Sequence, residues 1–329
     1  MAPTDGVTYT TGNALGTGNV IQSSASTSFS TSGLTANTTY DGYIYAYNTG
    51  ASCGGPVYNK VNVLSGSLTT SSCSGLAGGT YSVGLTGTFP TLTAAMTTIN
   101  SGITGPVILE LQSTYTSGGE TFPITFPSNA CIGPVNTLTI RPETGATGLS
   151  ITSANVTGTI NMNGATYVTI DGRPGGTGTT SQLTVANTNA GASYAIQLTG
   201  DARFNTIEYT TVTSRNTSAT SGTIVFGTGT IFGNDLNTID NCSITADGSG
   251  SFPVNGLYSA GTSSAIDNSN NTISNNQISN YFSATLVSSG ILLTSTGNST
   301  WTITNNRLFQ SATRVYTTAN THNGISVQS

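Results

Sequence analysis

Three acidic residues occupy equivalent places in successive repeats and are the first candidates for chemistry. Asp171, Glu208 and Asp240 each directly follow an isoleucine in a strand-like segment. If these strands stack in parallel, the carboxylates lie roughly 5 Å apart, near the separation used by retaining glycosidases. The same set of oxygens could bind Ca²⁺. The column continues with Ser274 and Thr304, and carboxylates beside turns commonly accept main-chain hydrogen bonds, which favours a structural role. We therefore predict no catalytic residue and no cofactor, with Ca²⁺ as the alternative.

Other signatures of β-helical enzymes are incomplete in this chain. Residues 222–227 resemble part of pectin methylesterase, but Val225 stands where that family needs a catalytic Asp. The Gly-His-Gly of polygalacturonases does not occur, and neither Arg173 nor Arg203 lies in a pectate lyase pattern. A Ser–His–Asp triad would depend on His322 alone. These residues favour a non-enzymatic protein, with a polysaccharide lyase or hydrolase as the alternative.

The composition indicates an all-β protein with few charges. Only 6% of the 329 residues are charged, against a typical ~25%, and Gly, Thr, Ser and Asn are abundant. β-Branched residues favour strands, while Gly, Asn and Ser favour tight turns. A net charge of −5 with seven scattered basic residues argues against nucleic acid as a partner. The sequence contains no run of 18 apolar residues, so it predicts no membrane-spanning segment.

The chain repeats itself from Leu138 onward, and this repeat predicts the fold. One apolar column consists of Ile170, Ile207, Ile239, Ile273 and Ile303, in steps of 30 to 37 residues. The other two consist of Val212, Ile244, Ile278 and Leu308, and of Ile196, Ile224, Leu257, Ile291 and Ile325. Short strands repeated at this spacing are typical of a solenoid in which each strand pairs with its counterpart one turn away. We therefore predict that residues 73–329 form a right-handed parallel β-helix.

Surplus chain length collects at one place in each repeat and predicts one loop-bearing side. The four longest connections are residues 214–222, 246–255, 280–290 and 310–323. The aromatic residues in and beside them are Phe252, Tyr258, Tyr281, Phe282, Phe309 and Tyr316. They could form a stacking platform for sugar rings or a protein partner, or else pack beneath their own loops.

Two polar columns accompany the apolar ones. Asn241, Asn275 and Asn305 lie at one equivalent turn, where Asn tolerates the left-handed backbone and its amides could bond along the column. Thr206, Thr238, Thr272 and Thr302 form the other. An ice-binding surface needs a second threonine column two residues away, which is not present beside this one, so the sequence disfavours that function.

The first part of the chain differs from the repeats. Leu34 precedes Tyr40 by six residues, and Tyr43 to Tyr47 alternate with Ile44 and Ala46 as in a strand. This pattern resembles the tyrosine corner and following strand of fibronectin type III domains. The resemblance implies a partial β-sandwich over residues 1–72, closed by a strand from Val61 to Thr69.

One helix is predicted at the start of the second part. Leu92, Ala95, Met96 and Ile99 follow helical spacing, and a short helix here would suit an N-terminal cap over the solenoid core.

Several motifs together resemble β-helix modules of large secreted Bacteroidota proteins, which often carry fibronectin-type domains and a type IX secretion sorting domain. They are residues 118–124, 138–142 and 167–172 and the Asn-Thr-Ile repeats. The resemblance implies an extracellular or cell-surface location and a structural or adhesive role, with glycans, surface proteins or further copies of the chain as partners. Because Met1-Ala2 leads into the chain with no apolar signal segment, and the last strand ends at Ser329 without a cap, we expect a β-helix truncated at its C-terminus.

Four cysteines allow at most two disulfide bonds. They are Cys53, Cys73, Cys131 and Cys242, and their spacing leaves the pairing open. Cys242 falls at a strand position typical of a buried free thiol. We expect an oxidising compartment.

Overall fold

The computed structural model describes the chain except for residues 27–30, 32–33, 36, 49–53, 71, 295, 316 and 329 and the side chain of residue 127. Two compact units result, Met1–Cys73 and Ser74–Ser329. The second is a parallel β-solenoid of about eight turns, as the repeat predicted.

Three parallel sheets form the walls of this solenoid. Sheet one contains Gly79–Val83, Val107–Leu111, Leu138–Pro142, Val168–Asp171, Thr206–Glu208, Thr238–Asp240, Thr272–Ser274 and Thr302–Thr304. Sheet two contains Leu149–Ser153, Leu183–Asn187, Thr211–Ser214, Ser243–Ala246, Gln277–Ser279 and Arg307–Phe309. Sheet three contains Ile124–Pro127, Gly158–Asn163, Tyr194–Thr199, Ile224–Phe226, Asn255–Ser259, Ser288–Leu293 and His322–Val327. A further short parallel pair joins Asn268–Ser269 to Asn298–Ser299.

The three predicted apolar columns are confirmed and fill the interior. Ile170, Ile207 and Ile239 pair in register in sheet one. In sheets two and three, the members of each apolar column likewise lie directly opposite one another on neighbouring strands. Each member is at most 1% exposed until the last turn, where Ile325 is 47% exposed. Each buried aliphatic side chain contributes about 1.5–3 kcal/mol to folding, so the stacked columns hold the turns together.

The four long connections confirm the predicted loop-bearing side. All of them join a strand of sheet two to the next strand of sheet three, for example Thr211–Ser214 to Ile224–Phe226. Loops of neighbouring turns bond to each other, since Thr217 N donates to Gly191 O and Val254 N donates to Asn216 O.

The three predicted turn asparagines have the expected backbone. Asn241, Asn275 and Asn305 have φ values of 52°, 57° and 55°. The expectation that their amides bond from turn to turn is confirmed for Asn275, whose Nδ2 donates to the Asp240 carboxylate on the preceding turn. It is wrong for Asn241, whose Nδ2 donates to Asp240 of its own turn. In both cases the acceptor is the Asp240 carboxylate rather than another asparagine.

Within the described residues, one α-helix occurs, at Leu92–Ile99, and we call it α1. Its predicted apolar face is confirmed, since Leu92, Ala95, Met96 and Ile99 are all buried. Thr91 caps its N-terminus by accepting a hydrogen bond from Ala94 N. Short 3₁₀ turns lie at Ser117–Gly119 and Pro174–Gly176.

The first unit contains only small antiparallel sheets in its described part. The pairs are Ala14–Leu15 with Gly18–Asn19, Thr39–Ile44 with Leu64–Thr69, and Tyr47–Asn48 with Val57–Tyr58. The predicted strand through Tyr47 is interrupted after Ile44, and Tyr43 and Ile44 are 61% and 53% exposed. No second sheet covers these side chains in the described ranges, so the predicted sandwich is not confirmed. The Tyr40 hydroxyl nevertheless accepts a hydrogen bond of 2.9 Å from Thr35 N, as in a tyrosine corner.

The cysteines differ in state. Cys73 and Cys131 are disulfide-bonded, whereas Cys242 is a free, buried thiol. Burial raises the pKa of Cys242 to about 12, so this thiol stays protonated and unreactive at neutral pH. Cys53 lies outside the described residues.

Candidate functional site

The predicted acidic residues lie in one column on the outer face of sheet one. Asp171, Glu208 and Asp240 pair in register, and the column extends to Glu110 and Arg141 on the preceding turns. Successive members are therefore about one strand spacing apart, roughly 4.8 Å. We call this set the charged column; it ends with Ser274 and Thr304.

Arg173 connects the two central carboxylates. Its Nε and one terminal nitrogen donate to both oxygens of Asp171, at 2.8 and 3.0 Å. The same terminal nitrogen donates to Glu208 at 2.7 Å, and the guanidinium lies 4.1 Å from the ring centre of Tyr209. A Cβ on Gly172 would collide with the main-chain oxygen of Tyr209, so glycine is needed where the chain turns to bring Arg173 back over the column.

The remaining charges in the column are also partnered. Arg141 binds Glu110 through two hydrogen bonds of 3.0 and 2.7 Å. Asp240 accepts hydrogen bonds from the Ser274 hydroxyl and from the amides of Asn241 and Asn275. Each carboxylate of the column is thus bound to an arginine or, for Asp240, to neutral donors.

Two of these carboxylates have pKa values that depart from the ordinary range in opposite directions. Burial, followed by repulsion from Asp171, raises the pKa of Glu208, although Arg173 opposes the shift. For Asp240, burial is outweighed by its hydrogen bonds from Ser274, Asn275 and Asn241, and the pKa is lowered. A pair with divergent pKa values is the pattern of a general acid and base. Here, however, Glu208 is ion-paired to Arg173 and Asp240 is saturated by short-range donors.

The predicted alternative of a Ca²⁺ site has no group of metal-binding side chains in the described part of the chain. Across the ranges that the structure describes, no three His, Cys, Asp or Glu side chains are grouped as they would be around a metal ion. Both oxygens of Asp171 face Arg173, so ion pairing uses the lone pairs that Ca²⁺ would need.

The predicted aromatic contact residues divide into two groups. Tyr281 and Tyr258 are only 2% and 9% exposed, and Tyr258 packs with Tyr194, Val225 and Leu292 against the outside of sheet three. Phe252, Phe282 and Phe309 are half-buried. Their rings lie against Arg314, His322 and Arg307 respectively. Tyr316 lies outside the described residues.

Ser288 and His322 form a contact that the sequence did not suggest. They lie side by side on neighbouring strands of sheet three, and Ser288 Oγ is 2.6 Å from His322 Nδ1. Ser288 is fully buried, and burial lowers the pKa of His322. A neutral imidazole can act as the base that activates a serine hydroxyl as a nucleophile, but the Ser288 hydroxyl is shielded from solvent.

Sequence reasoning also missed the asparagines that bond between turns. The Nδ2 and N atoms of Asn205 both donate to Oδ1 of Asn237, and those of Asn237 donate to Oδ1 of Asn271. All three are at most 1% exposed. A second pair, the buried Asn276 and the half-buried Asn306, repeats this geometry at the other edge of sheet one. The sequence signal for these bonds is the Asn that opens each Asn-Thr-Ile repeat, at Asn205, Asn237 and Asn271.

None of the helices in the described part of the chain is long and apolar enough to cross a membrane. No protein-family model, no curated protein and no solved structure matches this chain.

Proposed function

We propose that this chain is a non-enzymatic structural or adhesive module of the bacterial cell surface or extracellular space. The observation that carries the proposal is the charged column, in which each carboxylate is bound to an arginine or to neutral donors of its own or a neighbouring turn. Such a column links successive turns of the solenoid through their side chains, as the paired strands do through the backbone. The side chains of the column therefore favour a role in holding the turns together rather than a role in catalysis.

The outer surface supports contact with uncharged polymers. Sheet one presents threonine in register over six turns, at Thr139, Thr169, Thr206, Thr238, Thr272 and Thr302. Together with the low overall charge, this favours glycans, other surface proteins or further copies of the chain as partners, and gives no basis for nucleic-acid binding.

Finer features belong to the same proposal. We infer a right-handed solenoid, because connections between parallel strands of one sheet are right-handed in ≈ 98% of cases. We assign α1 as the cap of the first turn, and the Tyr40–Thr35 hydrogen bond supports a fibronectin-like origin for the first unit. The resemblance to Bacteroidota surface proteins exported by the type IX pathway supports an extracellular location.

A glycan array run beside a polysaccharide-degradation assay tests the proposal. We expect binding to a subset of glycans or to cell surfaces, without release of reducing ends. Release of reducing ends that is abolished by Asp171→Ala or Asp240→Ala, but retained by Asp41→Asn in the first unit, would replace the adhesive role with a glycan-active enzyme.

A second candidate function, a serine-dependent hydrolase, is favoured by the 2.6 Å contact between Ser288 and His322. A fluorophosphonate probe distinguishes it directly. Because Ser288 is buried, we expect no labelling of the wild-type protein. Labelling that is lost in Ser288→Ala and retained in Ser289→Ala would establish the hydrolase instead.

A further inference from the structure

An open cleft of about 330 Å³ lies beside α1, at the opposite end of the solenoid from its last turn. One wall is the exposed side of the helix, with Thr97 and Asn100, and the other is formed by Thr121 and Thr125 around the strand Ile124–Pro127. The side chains of Met96 and Ile124 line its base and are 5% and 1% exposed. The volume lies at the lower end of the range of small-molecule sites.

The lining combines hydroxyl and amide groups with an apolar base, and carries no charged side chain. Thr97 and Thr125 each donate their hydroxyl hydrogen to a nearby main-chain oxygen, so both retain acceptor lone pairs towards a ligand. Asn100 adds an amide that can both donate and accept.

The nearest carboxylate is not available to a ligand. Glu120 accepts hydrogen bonds from the main-chain amides of Leu92 and Thr93, from the Thr93 hydroxyl and from the Tyr115 hydroxyl. These four bonds occupy both of its oxygens. The cleft therefore offers no general acid, general base or ion-pairing partner.

This chemistry matches an uncharged sugar ring better than other small ligands. A pyranose has hydroxyls around its edge and apolar C–H groups on its faces, which pair with the polar rim and the Met96–Ile124 base. A fully apolar ligand would leave the acceptor lone pairs of Thr97 and Thr125 and the Asn100 amide without partners, and a charged sugar would be desolvated with no opposite charge nearby.

We propose that the cleft between α1 and the strand Ile124–Pro127 binds a neutral saccharide unit of a glycan. This inference rests on the proposed adhesive function and assigns its contact site to the end of the solenoid beside α1, rather than to the aromatic residues of the loop-bearing side. It also assigns the ligand class, neutral rather than acidic sugars.

Two tryptophan variants on the same helix provide the test. Thr97 and Thr98 are adjacent, both exposed, and each donates its hydroxyl to the carbonyl four residues earlier, but only Thr97 lines the cleft. Thr97→Trp should fill the cleft and weaken binding to neutral glycans at least tenfold, whereas Thr98→Trp should stay within twofold of wild type. Asn100→Ala removes one hydrogen-bonding side chain and should weaken binding about fivefold, which provides a second variant if Thr97→Trp does not fold. Circular dichroism and thermal unfolding monitor the fold of each variant.

The outcomes separate this inference from the proposed function. Glycan binding that survives Thr97→Trp and is lost in Phe252→Ala or Phe309→Ala overturns the cleft and leaves the adhesive role in place. Equal affinity for neutral and uronic-acid glycans at the cleft overturns the assigned ligand class. If the wild-type protein binds no glycan on the array, the cleft proposal fails, and the adhesive role is then judged by binding to cells and to surface proteins.

Discussion

Glu120 Oε1 accepts a hydrogen bond of 2.6 Å from the main-chain amide of Leu92, 28 residues earlier in the chain. The first amides of a helix have no acceptor within the helix, and its N-terminus carries partial positive charge. Glu120 satisfies both needs, since its second oxygen accepts from Thr93 N at 2.8 Å. The short helix is thereby fixed to the segment that leads into sheet three.

Glu120→Gln should loosen α1. The neutral amide offers only one acceptor oxygen, so we expect the free energy of unfolding to fall by about 1–3 kcal/mol and the amides of Leu92 and Thr93 to exchange faster with deuterium. Glu143→Gln is the matched control, because the Glu143 carboxylate accepts a single main-chain hydrogen bond among the described residues, from Ser113 N. Equal losses in the two variants would contradict the anchoring role of Glu120.

Arg173→Ala should destabilise the solenoid more than Arg141→Ala. Arg173 forms ion pairs with two carboxylates, and the Asp171 side chain is only 6% exposed. Removal of the Arg173 guanidinium therefore leaves the Asp171 carboxylate without its cation close to the core. We expect a loss of about 2–4 kcal/mol in chemical denaturation. Arg141 pairs with Glu110 alone, and both side chains are 21% exposed, so a smaller loss is expected there. The reverse order would show that Arg173 is a surface partner only.

Asn237→Ala should be among the most damaging polar substitutions. It removes the acceptor for two donors of Asn205 and the donor to Ala202 O, all inside the solenoid. We expect a loss of about 3 kcal/mol or more, measured by urea unfolding. Asn241→Ala, at an exposed turn, should cost about 1 kcal/mol through its left-handed backbone. Comparable losses would show that the buried asparagines do not link the turns.

Leu236→Asn should stabilise the protein. Leu236 has φ of 58° and is 39% exposed, and the equivalent residue on the next turn is Asn270, with φ of 54°. A branched apolar residue is costly in the left-handed region, so we expect a gain of about 0.5–1 kcal/mol and a Tm increase of about 1–3 °C. Ile231→Asn, at an exposed apolar residue without positive φ, should change Tm little. A lower Tm for Leu236→Asn would show that the side chain makes a contact worth more than the strain.

The lowered pKa of Asp240 predicts an acid-dependent loss of stability. A carboxyl whose folded-state pKa lies below its ordinary 3.8 stabilises the fold above that pH, and the contribution disappears as pH falls through the folded value. Asp240→Asn should therefore flatten the stability profile below about pH 5. Ser274→Ala keeps the carboxylate and removes one donor, so it should give an intermediate slope. An unchanged slope in Asp240→Asn would place the acid sensitivity elsewhere.

The repeat period determined much of this fold directly from the sequence. Isoleucines recurring at Ile207, Ile239 and Ile273 can be buried together only if each turn stacks on the last in register, and the structure has that register. The helix at Leu92–Ile99, the left-handed asparagines and the position of the long loops followed from equally local rules of spacing and backbone preference.

Only the tertiary structure decided which polar groups meet. Arg173 lies two residues after Asp171 in sequence, but its contact with Glu208 depends on a turn that folds back over the next strand. Glu120 and Leu92 are 28 residues apart, and no periodic pattern links them. Ser288 and His322 are one repeat apart on paired strands, but the repeat does not show that their side chains bond to each other. Hydrophobic columns can be recognised from sequence because each member repeats the same environment. Apart from the stacked asparagines, these polar pairs occur once each, and their geometry exists only after the turns have stacked.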